Sequence, residues 1–178
     1  MDVEALRKQY LPSKIKVLFI AEAKPDADDR FFYYDKVKTR DYLYLHMMYA
    51  LYCKTADDMQ YLRDHKAEFL NRFKRDGYYL VDAVDEIDSK MKSPQRTRAI
   101  KANANKKIVE VRELLDKHGD QNTKVVLIKA TVFDGLYDLM KSDFNIINDF
   151  KIYFPSSHKK NVENFLEGMR SVVLELHR

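Results

Sequence analysis

Residues 15–21 read IKVLFIA, an apolar run rich in β-branched side chains and interrupted only by Lys16. It is too short for a core helix and shows no regular alternation of polar and apolar positions. Such a run predicts a strand buried on both faces, the kind that parallel sheets use. YYLV at residues 78–81, VVLI at 125–128 and KIYF at 151–154 are further strand candidates, and the intervals between them carry helical patterns. Residues 41–52 predict a helix that is apolar on most sides. Thr55 with Asp58 resembles a capping box opening a helix with Met59, Leu62, Phe69 and Phe73 inward, stopped at Gly77. Ser93-Pro94 predicts the start of a helix running to Lys117, with Ile100, Ala104, Ile108, Val111 and Leu115 inward and Gly119 as its end. Thr131 predicts the cap of a short helix burying Leu136 and Met140. Ser157 predicts the start of a last helix with the stripe Val162, Phe165, Leu166, Met169, Val173 and Leu176. Strand and helix alternate four times, which predicts βαβ crossovers and a four-stranded, mainly parallel sheet covered by helices.

The bulk numbers agree. A chain of 178 residues with 46% hydrophobic and 34% charged residues predicts one globular domain over residues 1–178. No repeat or linker divides it. The single cysteine, Cys53, excludes an internal disulfide framework and argues against a thiolate metal site. The charged start and the lack of a long apolar run predict no leader and no membrane partner, hence the cytoplasm. The formal charge of +4 permits an anionic partner without requiring one. No glycine-rich phosphate loop, HExxH or GxSxG motif occurs, so dinucleotide enzymes, P-loop NTPases, zincins and α/β-hydrolases are poor descriptions. No cofactor is expected.

Ligands of such sheets bind beyond the carboxyl ends of the strands, which directs attention to the segments starting at Ala21, Asp82, Lys129 and Pro155. Three groups of residues fall there. Glu22 and Pro25 precede the aromatics Phe31, Phe32, Tyr33 and Tyr34, which either stack on a planar ligand or fill the core under the first loop. Lys90, Lys92, Arg96, Arg98, Lys101, Lys106 and Lys107 form a run unbroken by any acid. With Lys36, Lys38 and Arg40, and with His158, Lys159 and Lys160, they form either a phosphate-binding face or ordinary solvated surface. The carboxylates Glu22, Asp26, Asp28, Asp29, Asp82 and Asp85 either hold a divalent cation or solvate loops. Among the histidines, His46 reads as packing. His158, after Pro155-Ser156-Ser157, is the candidate acid/base or anion contact.

VLFIAEAKP followed by RFFY, and later KIYFPSSHKKNVENFLEGM, resemble the uracil-DNA glycosylase superfamily, closest to its poorly characterised members with a GESPP-like first motif and a PSS-like last one. The similarity spans most of the chain and is loose in its middle. The resemblance implies a three-layer α/β/α domain with a four-stranded parallel sheet, and excision of an extruded base from single- or double-stranded DNA without a metal. It implies that Glu22 is the catalytic carboxylate, that Phe31 or Phe32 stacks on the base, that Asp82 reads its edge where the family has Asn, and that Pro25 and Ser156 belong to the base-binding motifs. Phe154 stands where better-known members have His, so the role passes to His158.

Three functions follow as expectations. The first is base excision by Glu22 and His158, with Phe31, Phe32, Asp82, Pro25 and Ser156 holding the base. The second is a domain without chemistry that binds nucleic acid or a nucleotide, through Lys90, Lys92, Arg96, Arg98, Lys101, Lys159 and Lys160. The third is metal-dependent phosphoryl chemistry at Glu22, Asp26 and Asp82.

Overall fold

The computed structural model describes residues 2–24, 30–35, 40–53 and 58–177. Its centre is β1 (Val17–Ala21), all five residues of which are buried. Side chains such as Leu18, Phe19 and Ile20 each contribute about 1.5–3 kcal/mol on leaving water. β1 pairs in parallel with β2 (Tyr78–Asp82) on one side and β3 (Lys124–Leu127) on the other. β3 in turn pairs with a two-residue β4 (Asn145–Ile146), so the order is β2-β1-β3-β4.

The chain runs outward from β1 to β2, then back across to β3 and on to β4. Right-handed crossovers therefore place the first connection on one face and the later ones on the other. One layer holds α2 (Tyr42–Tyr52), α3 (Asp58–Asp64) and α4 (Lys66–Arg75), with α8 (Lys159–Leu176) returning to pack on α2. The other holds α5 (Ser93–Ala102), α6 (Ala104–His118) and α7 (Ala130–Met140). This is the three-layer α/β/α arrangement with an all-parallel sheet. The direction of winding switches between β1 and β3, the place where doubly wound sheets bind ligands. Among the described residues no helix is long and apolar enough to cross a membrane.

Side chains complete the backbone pairing where strands are missing. The buried Tyr33 hydroxyl accepts from the Leu80 N–H at 2.7 Å and donates to the Leu80 carbonyl at 3.0 Å, closing the outer edge of β2. The Asn148 carboxamide does the same for Leu127 in β3, accepting at 3.0 Å and donating at 3.1 Å. An unpaired strand edge would otherwise leave these groups buried without partners.

Several elements differ from expectation. The fourth strand is Asn145–Ile146 rather than 151–154. Asn148 occupies the Leu127 edge, and KIYF is left with one bridge, Ile152 to Ile128. The helix expected to run unbroken to Lys117 breaks at Asn103, whose amide donates to the Ala99 carbonyl at 3.1 Å and competes with the helical ladder. The helix expected from Thr55 is two, separated at His65; Thr55 itself lies outside the described residues. The caps shift to Lys92, Lys129 and His158. The charged start forms α1 (Val3–Gln9), capped by the Asp2 carboxylate and tied to β2 by the Tyr79 hydroxyl, which donates to the Arg7 carbonyl at 3.3 Å.

Candidate functional site

The strands β1, β2 and β3 end at one level. The Ala83 N–H bonds the Ala21 carbonyl at 2.7 Å and the Ile128 N–H bonds the Ile20 carbonyl at 2.9 Å. Glu22, Asp82 and Lys129 therefore emerge side by side. A pocket of about 240 Å³ opens over them. Its apolar lining includes Ala21, Leu80, Ile87, Phe31 and Phe32; its polar lining includes Glu22, Asp41, Asp82, Lys24, Arg30, Arg40, Arg96 and Lys129, with Phe154 and Tyr42 beside them.

Glu22 is the hub. Its Oε2 accepts from Arg96 Nη1 at 2.7 Å and from Lys129 Nζ, and its Oε1 accepts from the Thr131 hydroxyl at 2.6 Å. Burial by itself would raise this carboxyl. The hydrogen bonds from Lys129 and Thr131, and the charges of Lys129 and Arg96, outweigh it and hold the group below the usual glutamate range. Burial pushes the Lys129 ammonium down, with Glu22 opposing. Arg96 also spreads over the loop after β2, donating to the carbonyls of Met91 at 2.8 Å, Ser89 at 2.9 Å and Asp88 at 3.3 Å. One guanidinium thus fixes α5, that loop and the end of β1 together.

Two backbone outliers mark the same place. The non-glycine residues with positive φ among the described residues are Arg40 (62°) and Lys129 (86°), and both line this pocket. A non-glycine residue held there costs on the order of 1–3 kcal/mol, and such conformations gather at functional sites. The Lys129 carbonyl nonetheless caps α7 by accepting from the N–H groups of Val132 and Phe133.

The other two carboxylates are neutralised from behind. Asp82 is paired with Arg7 of α1. Burial pushes Asp82 above the usual aspartate range, with Arg7 and Lys107 opposing. Asp41 is paired with the fully buried Lys66 at 2.5 Å. Burial raises the acid and lowers the amine.

The structure brings Glu22, Phe31, Phe32, Asp82 and Arg96 to one pocket. Phe31 and Phe32 reach it from the core: they are 2% and 4% exposed and packed edge-on against Tyr33, with Phe32 also against Tyr44 and Phe73. Of the last motif, Phe154 lines the pocket, whereas Ser156 and His158 do not. The Ser156 hydroxyl accepts from the His158 N–H at 3.3 Å and the Asn161 amide at 2.7 Å, which organises the start of α8, and His158 is exposed outside the pocket lining. Lys90, Lys92, Arg98, Lys101, Lys159 and Lys160 are exposed and also outside that lining. Lys106 pairs with Asp85 at 3.0 Å, and Lys107 is buried against Glu110. Pro25, Asp26, Asp28, Asp29, Lys36 and Lys38 lie outside the described residues. Among the described residues no group of three or more His, Cys, Asp or Glu is placed to hold a metal ion. At Glu22 the two cations already on the carboxylate would repel one. The sequence did not single out Lys129 or Phe154 as site residues, assigned Thr131 to a helix cap, and gave no sign of Arg7.

No family model matches the chain, and no curated protein or solved structure is significantly similar to it.

Proposed function

We propose that this chain binds a phosphate-bearing ligand of the nucleotide or nucleic-acid class in the pocket beyond β1 and β3, without cleaving a glycosidic bond. The observation that supports this is a charge imbalance. Five cationic side chains (Lys24, Arg30, Arg40, Arg96 and Lys129) line the pocket against three carboxylates. Asp41 and Asp82 are already offset by Lys66 and Arg7. Lys24 and Arg40 have no ion-pair partner among the described residues, so the described lining offers an anion two cations that no carboxylate there engages, Lys24 half-buried and Arg40 exposed.

Base excision is the second reading, favoured by the convergence of Glu22, Phe31, Phe32 and Asp82 on one pocket. Against it, Glu22 is held ionised by three donors and is a weak base, and the two phenylalanines present little ring surface.

Calorimetric titration with pyrophosphate, adenosine 5′-monophosphate and a short single-stranded oligonucleotide tests the proposal. Saturable binding that weakens about tenfold or more in each of Lys24→Gln and Arg40→Gln is expected, since a charged hydrogen bond contributes about 1.5–3 kcal/mol. Affinity for the oligonucleotide should also fall as salt rises. No binding to any of the three by the folded protein at millimolar concentration refutes it. The same oligonucleotide carrying uracil, hypoxanthine or xanthine, followed by alkali, separates the readings: strand cleavage would establish excision in place of simple binding.

A further inference from the structure

We infer that the ligand carries a flat aromatic ring beside its anionic group, and that Phe154 is the surface on which this ring stacks. The inference rests on the phosphate-binding proposal and adds to it the other half of the ligand.

The pocket has two kinds of aromatic wall. Phe31 and Phe32 are consumed by core packing, as described above. Phe154, from the chain just after the Ile152–Ile128 bridge, also lines the pocket yet is 38% exposed. An exposed phenylalanine on open surface is unremarked in any protein. Here the exposed ring borders a concave site whose floor is also apolar, through Ala21, Leu80 and Ile87. Covering it recovers burial free energy that the unliganded chain forgoes.

The electrostatics favour the same ligand. Lys129 Nζ sits over the Phe154 ring at 5.4 Å from its centroid while also holding Glu22. One ammonium thus faces both the ring and the Glu22 carboxylate, placing a stacking surface within one side-chain length of the pocket's cations. Lys129 holds this position with a positive φ of 86°. The backbone is held there by the Lys129 N–H to Ile152 carbonyl bond at 2.9 Å on one side and the α7 cap on the other. The volume, about 240 Å³, is below the usual range for small-molecule sites, which suits one ring with one charged group and not a length of strand. A nucleoside monophosphate, or the terminal nucleotide of a strand, has this chemistry; an inorganic or sugar phosphate has half of it.

The test compares adenosine 5′-monophosphate with ribose 5-phosphate on wild type, Phe154→Ala and Phe154→Tyr by calorimetry. Wild type should bind the nucleotide about tenfold more tightly than the sugar phosphate, the size of one base–aromatic stack. Phe154→Ala should lose that preference, and Phe154→Tyr should keep it. Equal wild-type affinities, or a preference untouched by Phe154→Ala, overturns the stacking inference while leaving phosphate binding intact. Failure of both ligands to bind while pyrophosphate still binds overturns the stacking inference alone; failure of all three overturns the phosphate proposal with it. A short oligonucleotide with a 5′-phosphate, run beside the mononucleotide, identifies the source: tighter binding of the oligonucleotide, still sensitive to Phe154→Ala, assigns the ring to a strand end.

Discussion

The ends of β1 and β2 each present a buried carboxylate, at adjacent positions of one sheet, and the two do different work. Glu22 draws together three separate parts of the chain: its own loop, Arg96 of α5, and the Lys129–Thr131 entry to α7. Three donors outweigh its burial, so it stays ionised below the usual range. Asp82 has one close partner, Arg7, and burial dominates, raising it. The corner around it is also less completely bonded, since Arg7 Nε is buried with no partner among the described residues. The larger number of donors at Glu22 and the deeper burial of Asp82 together separate a charge that organises a site from one that fastens α1 to the sheet. Sequence composition groups both acids in one cluster.

Replacing Glu22 gives the largest expected effect. Glu22→Gln leaves Arg96 and Lys129 facing one another without counter-charge, and breaking a buried ion pair from one side costs about 3–5 kcal/mol. The cations here keep some solvent contact, with side chains 17% and 24% exposed, so about 3 kcal/mol is expected in urea unfolding. Pyrophosphate should restore part of it by supplying the missing charge. A loss below about 1 kcal/mol would place Glu22 with exposed surface pairs and remove the contrast with Asp82.

Asp82→Asn should cost less, about 2 kcal/mol, the scale of one charged hydrogen bond, because Arg7 keeps its pairing with Glu4. A group whose neutral form is favoured by burial tolerates a neutral isostere. Ligand affinity should not change, because Asp82 is engaged with α1. A tenfold loss of pyrophosphate affinity in Asp82→Asn would make the β2 end part of the binding machinery.

The two acids also have opposite signs of pH dependence. Glu22 has a folded value below its unfolded one, so its stabilisation is present above the ordinary glutamate range and is lost as pH falls through the folded value. Asp82 has a folded value above its unfolded one, so its relative stabilisation is present in acid and is lost as pH rises through the raised value. Between about pH 3 and pH 7, Glu22→Gln should therefore shrink the acid loss of stability and Asp82→Asn should enlarge it. Urea midpoints across that range decide the matter; changes of the same sign in both variants would show that the pairs titrate alike.

Legibility from sequence follows the range of each interaction. β1 is legible because burial on both faces writes an unbroken apolar run, IKVLFIA, into consecutive residues. Glu22 is legible because it follows that run at a strand end. Its partners are not: Arg96 and Lys129 lie 74 and 107 residues away, and nothing local marks which lysine turns inward. The fourth strand fails for another reason. KIYF has strand composition, but the edge it would occupy is filled by the Asn148 side chain, a tertiary choice invisible in a six-residue window. α1 buries no residue fully, so it leaves no apolar stripe, and Arg7 cannot be linked to Asp82 across 75 positions. Arg40 and Lys129 adopt positive φ without being glycine, and no residue preference reveals that.

The smallest expected effect isolates the strain at Lys129 from its charge. Lys129→Ala and Lys129→Gly both remove the ammonium from Glu22 and from Phe154. They differ in the backbone: alanine must still be held at a φ of 86°, whereas glycine adopts it at no steric cost. Glycine pays back part of this through the freedom it gains in the unfolded chain, about 0.4–1 kcal/mol, against the 1–3 kcal/mol or so of strain relieved. Lys129→Gly should therefore be the more stable of the two by about 1 kcal/mol, although at an ordinary loop position alanine would be the more stable. The measurement is the difference in urea unfolding free energy between the two variants, so the lost ion pair cancels. If alanine is the more stable, the residue relaxes to negative φ once its side chain is gone. The Glu22 bond would then be what holds the backbone in place, and the β1 end would contain a contact-driven strain that the β2 end lacks.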